Sequence, residues 1–497
     1  MRVYKRKQTT DADGRAQAGG RRYIVILVLL VVLHLGKVAA FVAAGQAPLR
    51  ADAAVYWDLG QRIVAGDWLL VADPPEVTRT PGYLLFVAFF QAACGAWALA
   101  AAIVVQQLLL LATSLLACRV CWQLTRRRSA VVLCLALTLF CFSAHGVAVN
   151  LLSDTLLSFL ITLCVARMIA WFQSPSALNA VAIGLVLGAA TLVKPIALFA
   201  WMPVVAAMAL TTDRGLSLGK RVMHAVSVLT ATGLLVTPWV IRNEIYFGSP
   251  FLTKFGGRAL WWSCFRGNVK DSLNPPIPLS DGPATKAIRE SAPDVDLHDA
   301  WGVYKKLVTR GYSQIDADEL MFRAAMEGIH GHPGEFALSR CVRAVWFWIT
   351  PNGTFRPNTG DFGFATTRPQ GEVVAGFAET DEYAGQAAWR SNWYFTKGYL
   401  NFLWHPHPLL YAIAAAVTLW GLVFLLRTPA CHVPAIFFGL WLLYFSAMTV
   451  MAASPEYRYR MILEPTMVII VTTALSRFLL SQNVQEGLAA GNRLQIQ

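Results

Sequence analysis

Two aspartates next to apolar segments are the first candidates for chemistry in this chain. Asp52 precedes the stretch AAVYWDLGQRIV, whose apolar residues have nearly helical spacing, and Asp154 opens a long apolar run in VNLLSDTLLSFL. Either aspartate could simply cap the helix that follows it. A carboxylate beside a membrane cavity can also act as a general base, and a charge at the depth of Asp154 is costly unless it faces water or a partner. Both interpretations stay open.

Cations at the ends of other apolar runs form a second candidate set. Lys194 lies in TLVKPIAL, Arg242 in TPWVIRNEIYFGSP, and Arg458 and Arg460 in PEYRYRMILEP. Each alone is typical of a side chain whose charged end reaches the membrane interface. Four such cations converging with two aspartates would be difficult to explain by anchoring and would suit an anion such as a lipid phosphate.

Nucleotide and metal motifs are missing or weak. The sequence has neither a GxGxxG motif after a strand nor a GxxxxGK[ST] motif. His330 with His332, and His405 with His407, form HxH pairs without an obvious third ligand, so they do not favour a metal site. We therefore expect no cofactor and no metal site, although a divalent metal is compatible with the chemistry considered below.

Composition defines the class of protein. Hydrophobic residues make up 56% of the 497 and charged residues only 14%, against about 25% in an ordinary soluble domain. The net charge of +13 comes from short basic clusters between apolar runs, such as Arg126 to Arg128. That distribution is typical of the cytoplasmic loops of membrane proteins rather than of a nucleic-acid-binding surface. We expect membrane lipid, and no nucleic acid, among the partners.

The apolar runs predict an all-α polytopic membrane protein with about ten transmembrane helices. A span needs about 20 apolar residues. The first run is too long for a typical signal peptide and is followed by many more, so we interpret it as an uncleaved helix. The predicted spans are residues 23–44, 97–124, 129–149, 154–173, 178–194, 195–211, 222–240, 407–427, 431–452 and 461–480.

Segment 81–95, PGYLLFVAFFQAACG, decides the topology. If it crossed the membrane, the cluster Arg126 to Arg128 and every later basic loop would lie outside, against the positive-inside rule. We therefore predict a juxtamembrane helix on the outer surface. Both termini then lie in the cytoplasm, and Asp52, Asp154, Lys194 and Arg242 lie on the outer, periplasmic face of what we predict to be a bacterial inner membrane.

The same topology predicts the domain organisation. The large outer region is too long to be a simple connection, so it should have its own mixed structure, including a helix near 314–328 and outer juxtamembrane segments. Within it, Cys264 and Cys341 could pair as a disulfide. The predicted regions are a cytoplasmic basic tail at 1–22, an N-terminal transmembrane catalytic module at 23–241 with outer loop 45–96, the large outer loop region at 242–405, C-terminal transmembrane helices at 406–480 and a cytoplasmic tail at 481–497.

Over most of its length the chain resembles the C-type (GT-C) glycosyltransferases, near the aminoarabinose transferases and the protein O-mannosyltransferases. The segments that carry the resemblance follow one another in the family's order. They are DAAVYWDLGQRIVAGDW, RTPGYLLF, LLSDTLLSFL, LVKP, TPWVIRNEIYFGSPF with KFGGRALW, and EYRYRMILEP. The family also has a juxtamembrane helix where the charge pattern predicts one at 81–95.

The resemblance implies a fold, substrates and roles for residues. It implies a polyprenyl-phosphate sugar as donor and a hydroxyl of a lipid, glycan or protein as acceptor. By position, Asp52 corresponds to the catalytic aspartate, Asp154 to a second acidic residue that positions a substrate, and Lys194 to a lysine that holds the lipid phosphate. We assign the remaining candidates of these motifs to the donor-binding set, namely Arg242, Arg458, Arg460, Tyr56, Arg79 and Glu456.

The sequence departs from the family pattern at two positions. Ala53 stands where many relatives have a second acid, which argues against a protein O-mannosyltransferase, and Val55 stands where aminoarabinose transferases have an arginine. Phosphate binding would therefore depend on Lys194 with Arg242 or Arg458. The predicted activity is inverting glycosyl transfer. The alternatives are a transporter or flippase of lipid-linked glycans, which would place charges near the bilayer midplane, and a polymerase or ligase of such glycans.

Overall fold

The computed structural model describes the chain as a set of helices. The described residues are 22–39, 49, 52–139, 148, 150–211, 216–265, 276–349, 408–452 and 457–494, and these residues contain no β-strand. The prediction of an all-helical chain is therefore confirmed for the part that is described.

Eighteen α-helices follow one another in the described residues, with short 3₁₀ turns at Gly95–Trp97, Pro195–Ala197 and Pro429–Cys431. In chain order they are α1 Arg22–Ala39, α2 Asp52–Val64, α3 Pro81–Cys94, α4 Ala98–Thr125, α5 Arg128–Leu139, α6 Asp154–Gln173, α7 Ala177–Val193, α8 Trp201–Leu210, α9 Leu218–Phe247, α10 Gly256–Phe265, α11 Pro283–Ser291, α12 Ala300–Thr309, α13 Gln314–Gly331, α14 Pro333–Ile349, α15 Pro408–Leu426, α16 His432–Ala452, α17 Tyr457–Met461 and α18 Glu464–Leu494.

The helices that could cross a membrane match the predicted spans. Among the described residues, seven helical segments are long and apolar enough to do so, and three shorter apolar helices, at 128–139, 177–193 and 195–210, lie at further predicted spans. Apolar side chains cover the outside of many of these helices, and α1 exposes Ile24, Val25 and Leu33. Such surfaces are stable in lipid and would be unfavourable in water. The chain is an integral membrane protein.

Segment 81–95 forms its own helix. The continuous apolar stretch Pro81–Thr125 has 45 residues, about twice what one span needs, and it divides at Gly95. Gly95 has a φ of +52°, a backbone conformation that glycine adopts without steric penalty. Because α3 ends there and packs on α2 and α7, it is separate from the long helix α4. Its position on the outer membrane surface stays a prediction.

The large region after α9 contains a second, smaller core. Helices α10 to α13 pack around buried residues that include Trp261, Ile288, Leu307 and Met321. The predicted helix at 314–328 is confirmed as α13. The suggested Cys264–Cys341 disulfide is wrong, because both residues are free thiols, Cys264 buried and Cys341 exposed on another helix.

Candidate functional site

Helix α2 and the loop after it bring an aspartate and an arginine together. Asp52 is the first residue of α2, and its Oδ1 accepts a hydrogen bond from Arg79 Nη2 at 3.1 Å. Arg79 directly precedes Thr80 and Pro81, where the proline fixes the start of α3. The Asp52 side chain is 37% exposed, so it forms an ion pair and still reaches solvent. An accessible carboxylate in this position can accept a proton from a substrate.

A second ion pair lies at the start of α6 and the end of α7. Lys194 Nζ donates to Asp154 Oδ1 at 2.6 Å, and the Asp154 side chain is only 2% exposed. Pro195 disfavours helical geometry at the preceding residue, so α7 ends at Val193 and Lys194 is extended, with φ −156° and ψ 124°. The Lys194 ammonium also lies 4.4 Å from the centre of the Tyr459 ring, a cation–π contact.

Tyr56 lies between the two ion pairs. Its hydroxyl and Ser153 Oγ are 3.3 Å apart, and Ser153 directly precedes Asp154. On its other side, the Arg79 guanidinium carbon lies 5.4 Å from the centre of the Tyr56 ring. Helical spacing places Tyr56 one turn after Asp52 on the same face of α2. The structure therefore gathers five of the predicted site residues, Asp52, Tyr56, Arg79, Asp154 and Lys194, into one cluster.

The protonation equilibria of Tyr56 and Arg79 reflect this crowding of charge. Removal from water raises the pKa of the Tyr56 hydroxyl and Asp52 raises it further, while Arg79, Lys194 and the hydrogen bond with Ser153 oppose the increase. Desolvation alone would lower the pKa of Arg79, but the neighbouring Tyr56, Asp52 and Glu76 raise it overall. Arg79 is thus a permanent cation and Tyr56 a neutral hydroxyl donor at neutral pH.

A buried polar network supports the floor of the cluster. The Tyr83 hydroxyl donates to Gln106 Oε1 at 2.5 Å, and Gln106 Nε2 donates to the Asn150 carbonyl at 2.7 Å. Tyr83 packs edge-on against Tyr56, with ring centres 4.8 Å apart. These contacts join α3, α4 and the segment before α6, and they hold the Tyr83 ring against Tyr56.

The other predicted cations have different surroundings. Arg242 is 4% exposed and binds the backbone of the loop before α3. Arg460 is 1% exposed, donates to the Phe347 carbonyl at 3.0 Å and has Glu464 3.9 Å away. The side chain of Arg458, and Glu456 altogether, lie outside the described residues. The assignment of these four residues to the donor-binding set stays a prediction.

Several contributors to the site were missed by sequence analysis. Glu76 accepts hydrogen bonds from the backbone nitrogens of Thr78 and Arg79 at 2.6 and 2.7 Å. Tyr459 covers Lys194, although its neighbours Arg458 and Arg460 had been singled out. The only available signal for Glu76 was its position three residues before Arg79, which is a common spacing for a side chain that binds a nearby backbone N–H.

The cluster combines two carboxylates, two cations and a neutral phenol at one end of the helices. This combination can bind an anionic group and accept a proton from a second group nearby. Among the described residues, no group of three or more His, Cys, Asp or Glu side chains is arranged to hold a metal ion.

Comparisons with known proteins give structural matches only. No protein-family model and no curated protein matches the chain. The matches among solved structures include ArnT from Cupriavidus metallidurans bound to undecaprenyl phosphate, with 16% identity, a TM-score of 0.39, and coverage of 91% of this chain and 78% of ArnT. The apo state of ArnT has 15% identity, a TM-score of 0.38, and coverage of 91% and 77%.

An archaeal protein also matches. The oligosaccharyltransferase AglB from Archaeoglobus fulgidus, in complex with an inhibitory peptide and a dolichol-phosphate, has 13% identity and a TM-score of 0.47. The alignment covers 94% of this chain and 52% of AglB, so the chain spans about half of that protein. ArnT and AglB belong to the glycosyltransferase class that the sequence motifs resemble.

Proposed function

We propose that this protein is a membrane glycosyltransferase that moves a sugar from a polyprenyl-phosphate donor to a hydroxyl of a lipid, glycan or protein, with inversion at the anomeric carbon. The observation that carries the proposal is the convergence of the Asp52–Arg79 and Asp154–Lys194 pairs around Tyr56. An anchoring role for each cation would not require the two pairs to meet. A site for a reaction between an anionic donor and a neutral acceptor does require the cations and a carboxylate base to lie close together.

The two cations suit the donor phosphate. A guanidinium presents paired N–H donors that match phosphate oxygens, and an ammonium adds a compact positive charge. Arg79 and Lys194 already have carboxylate partners, which hold them in place before an anion binds. Tyr56, between them, offers a neutral hydroxyl donor. We assign the phosphate to Arg79 and Lys194, and Tyr56 to the same binding set.

The reaction needs a base and no protonating acid. Asp52 accepts the proton of the acceptor hydroxyl while that oxygen bonds to the anomeric carbon. The bond between this carbon and the phosphate oxygen breaks at the same time, and its electron pair leaves with the polyprenyl phosphate. Arg79 and Lys194 stabilise the negative charge that develops on the leaving group. The buried Asp154 holds Lys194 and orients a substrate.

Exposure distinguishes the roles of the two aspartates. A base must lie within hydrogen-bond reach of the acceptor hydroxyl. The Asp52 side chain is 37% exposed and the Asp154 side chain 2%, which favours Asp52 as the base. We place the reaction on the periplasmic face of a bacterial inner membrane, because that orientation leaves the basic clusters in the cytoplasm.

The test is transfer activity of an Asp52→Asn variant in nanodiscs, measured with a panel of polyprenyl-phosphate sugars and a radiolabelled cell-envelope extract as acceptor. Asparagine keeps the shape of the side chain but cannot accept the proton. We expect the rate to fall by about 100- to 10,000-fold, the usual contribution of a general base. Asp58→Asn is the matched control, because Asp58 lies on the same helix and is exposed; it should keep normal activity.

Near-normal transfer by Asp52→Asn would exclude Asp52 as the base. Movement of an intact lipid-linked glycan across vesicles, without transfer of sugar, would instead support the transporter alternative. Formation of long glycan polymers from a lipid-linked repeat would support the polymerase alternative.

A further inference from the structure

The loop that carries Arg79 has no helix of its own, yet side chains bind its backbone at many points. We call residues 65–80 the Arg79 loop. Its carbonyl and N–H groups are bound by side chains of Arg62, Asp67, Glu76, Arg242 and Gln314. A loop of this length that is held by so many side-chain contacts has a defined conformation. That conformation determines where the side chain of Arg79 lies.

Arg242, on α9, makes the most concentrated of these contacts. Its Nε donates to the Leu69 carbonyl at 2.8 Å, its Nη2 to the Leu70 carbonyl at 2.7 Å, and its Nη1 to the Glu76 carbonyl at 3.1 Å. One rigid guanidinium therefore joins the beginning of the loop to the part that leads into Arg79. A lysine could not reproduce this planar arrangement of donors.

The backbone at Leu70 shows that the loop conformation is imposed from outside. Leu70 has a φ of +50°, in the left-handed region that branched residues avoid, and its side chain is fully buried. Such a conformation persists where surrounding contacts stabilise it. The Leu70 carbonyl accepts hydrogen bonds from Arg242 and from the Glu76 backbone nitrogen at 3.0 Å. Arg242 is therefore one of the groups that maintain this turn.

A continuous series of contacts leads from Arg242 to the catalytic cluster. Arg242 binds the Glu76 carbonyl at 3.1 Å, and the Glu76 carboxylate accepts a hydrogen bond from the Arg79 backbone nitrogen at 2.7 Å. The Arg79 guanidinium then binds Asp52 at 3.1 Å. The side chain of Arg79 is thus aimed by a backbone that Arg242 and Glu76 hold.

The surroundings of Arg242 argue against direct contact with a substrate anion. The residue is 4% exposed, and its guanidinium carbon lies 4.4 Å from the Trp239 ring centre and 4.8 Å from that of Phe247. An anion could reach this cation only by displacing the loop carbonyls. The carbonyls compensate the desolvation of the buried charge, so their loss would be costly.

We infer that Arg242 is a positioning residue that acts through the Arg79 loop to aim Arg79 at the anionic group of the substrate. Arg242 does not itself bind the phosphate. That Arg242 holds the Arg79 loop, which we call the clamp, follows from the contacts alone. That the loop aims Arg79 at a phosphate rests on the proposed function.

Hydrogen exchange tests the clamp without any substrate. In Arg242→Leu, the backbone amides of peptides covering residues 65–80 should exchange at least about tenfold faster than in the unaltered protein, because several bonds to a charged donor are lost. Arg221→Leu is the matched control. Arg221 lies on the same helix α9 and also donates to backbone carbonyls, those of Ala209 and Thr211, away from the loop. That control should leave exchange in 65–80 unchanged.

Binding of undecaprenyl phosphate to the nanodisc-embedded protein tests the action through Arg79. We expect Arg79→Leu and Arg242→Leu each to weaken binding by about tenfold or more. The double variant should bind no more weakly than Arg79→Leu, within about twofold, because the two residues act on one contact. Arg242→Lys, which keeps a positive charge but not the planar set of guanidinium N–H donors, should recover only part of the affinity. Glu76→Ala should weaken binding as Arg242→Leu does, and it provides a second variant if Arg242→Leu does not fold.

Three results separate the possibilities. Unchanged exchange at 65–80 in Arg242→Leu would overturn the clamp. If the affinity loss of the double variant equals the product of the losses of Arg79→Leu and Arg242→Leu, Arg242 binds the phosphate independently of Arg79. That result would also overturn the inference. If the unaltered protein does not bind undecaprenyl phosphate, the proposed donor is wrong and the phosphate role of Arg242 falls with it, while the exchange experiment still decides the clamp.

Discussion

The two carboxylates of the candidate site have different partners and different access to solvent. Asp52 pairs with Arg79 at the surface of the cluster, and Asp154 pairs with Lys194 in a buried position. A buried pair is strongly destabilised by loss of one member, because the other charge remains without compensation. The same pair can be replaced as a unit at little cost. The contribution of the Asp154–Lys194 pair to stability can therefore be measured separately from its contribution to activity.

The buried pair predicts a pattern of stabilities at the scale of single residues. Lys194→Met should lower the unfolding free energy by about 3 kcal/mol, because it leaves the 2% exposed Asp154 carboxylate without a partner. Asp154→Asn should lower it by a smaller amount, because the remaining Lys194 side chain is 15% exposed and also contacts the Tyr459 ring. The double variant should recover much of the loss while remaining inactive in sugar transfer. Thermal unfolding in nanodiscs measures the first effect and the transfer assay the second. An active double variant would contradict the proposed role of both residues.

At the scale of helices, small residues decide how closely neighbouring elements approach. On α7, a Cβ added at Gly184 would lie 2.4 Å from the Val228 carbonyl, and one at Gly188 would lie 2.9 Å from Leu235 Cβ, both on α9. Two glycines one helical turn apart let two helix backbones pack closely in a membrane. This contact matters for the site because Lys194 directly follows α7, while α9 carries Arg242.

Substitution at the α7–α9 contact should destabilise the protein. Gly184→Ala places a methyl group against backbone atoms that cannot rotate away, and we expect a loss of about 1 to 3 kcal/mol in unfolding free energy. Gly233→Ala, on α9, is the matched control because nothing lies within 4 Å of the added Cβ. That variant should be neutral or more stable by up to about 1 kcal/mol, as expected for alanine in a helix. Equal melting temperatures for the two variants would contradict the close approach.

The region after α9 contains a carboxylate whose ionisation stabilises the start of helix α11. Glu327 on α13 accepts hydrogen bonds from the Ala284 and Thr285 backbone nitrogens at 2.8 and 3.0 Å, at the beginning of α11. Desolvation alone would raise the pKa of Glu327, but the bonds from Ala284, Thr285 and Ser280 lower it below its ordinary value of 4.5. The charged form is therefore favoured in the folded state.

The sign of this shift predicts how the stability of the start of α11 depends on pH. A lowered folded-state pKa contributes stability that is fully present above about 4.5 and is lost as the pH falls through the lower, folded-state pKa. Glu327→Gln should therefore reduce protection of residues 283–291 against hydrogen exchange at pH 7 and have little effect at strongly acidic pH. Glu319→Gln, at a 42% exposed side chain of the same helix, is the control. An equal effect of Glu327→Gln at both pH values would contradict the assignment.

At the scale of the whole molecule, helices α10 and α14 of the region after α9 are joined directly to the apolar helix α16. Arg340 on α14 donates to the Ser263 hydroxyl at 2.9 Å on α10 and to the Val450 carbonyl at 2.9 Å near the end of α16. The carbonyls at a helix C-terminus have no partner within the helix, so an arginine there satisfies them. Helices α10 and α14 are thereby fixed to α16, one of the predicted membrane helices.

The predicted orientation in the membrane can be tested with a native cysteine. Cys341, exposed on α14, should react with a membrane-impermeant maleimide in intact spheroplasts, and Cys341→Ser should lose most of that label. Lys220→Cys, in a Cys341→Ser background, adds a thiol at an exposed position that we predict to be cytoplasmic, and it should react only after permeabilisation. Labelling of Lys220→Cys in intact spheroplasts, and not of Cys341, would invert the topology.

The sequence by itself determined the class of protein and most of its helices. Apolar runs of sufficient length can be stable only as membrane helices, so their number and approximate bounds could be predicted from composition and length. The positive-inside rule predicted α3 as a separate helix, because a span there would put the later basic clusters on the outer side. The cost of a charge beside an apolar run singled out Asp52, Asp154 and Lys194, because such a charge needs a partner or water to be stable.

Only the tertiary structure decided which charges meet. Arg79 pairs with Asp52, and Lys194 pairs with Asp154, across separations in sequence that no local pattern encodes. Arg242 looked like another cation of the site, but folding buries it against the carbonyls of the Arg79 loop. Whether a segment is stable as a membrane helix depends on its own composition, and so it can be predicted from the sequence. The pairing of charges depends on the directions in which distant helices end, and these are decided by packing in three dimensions.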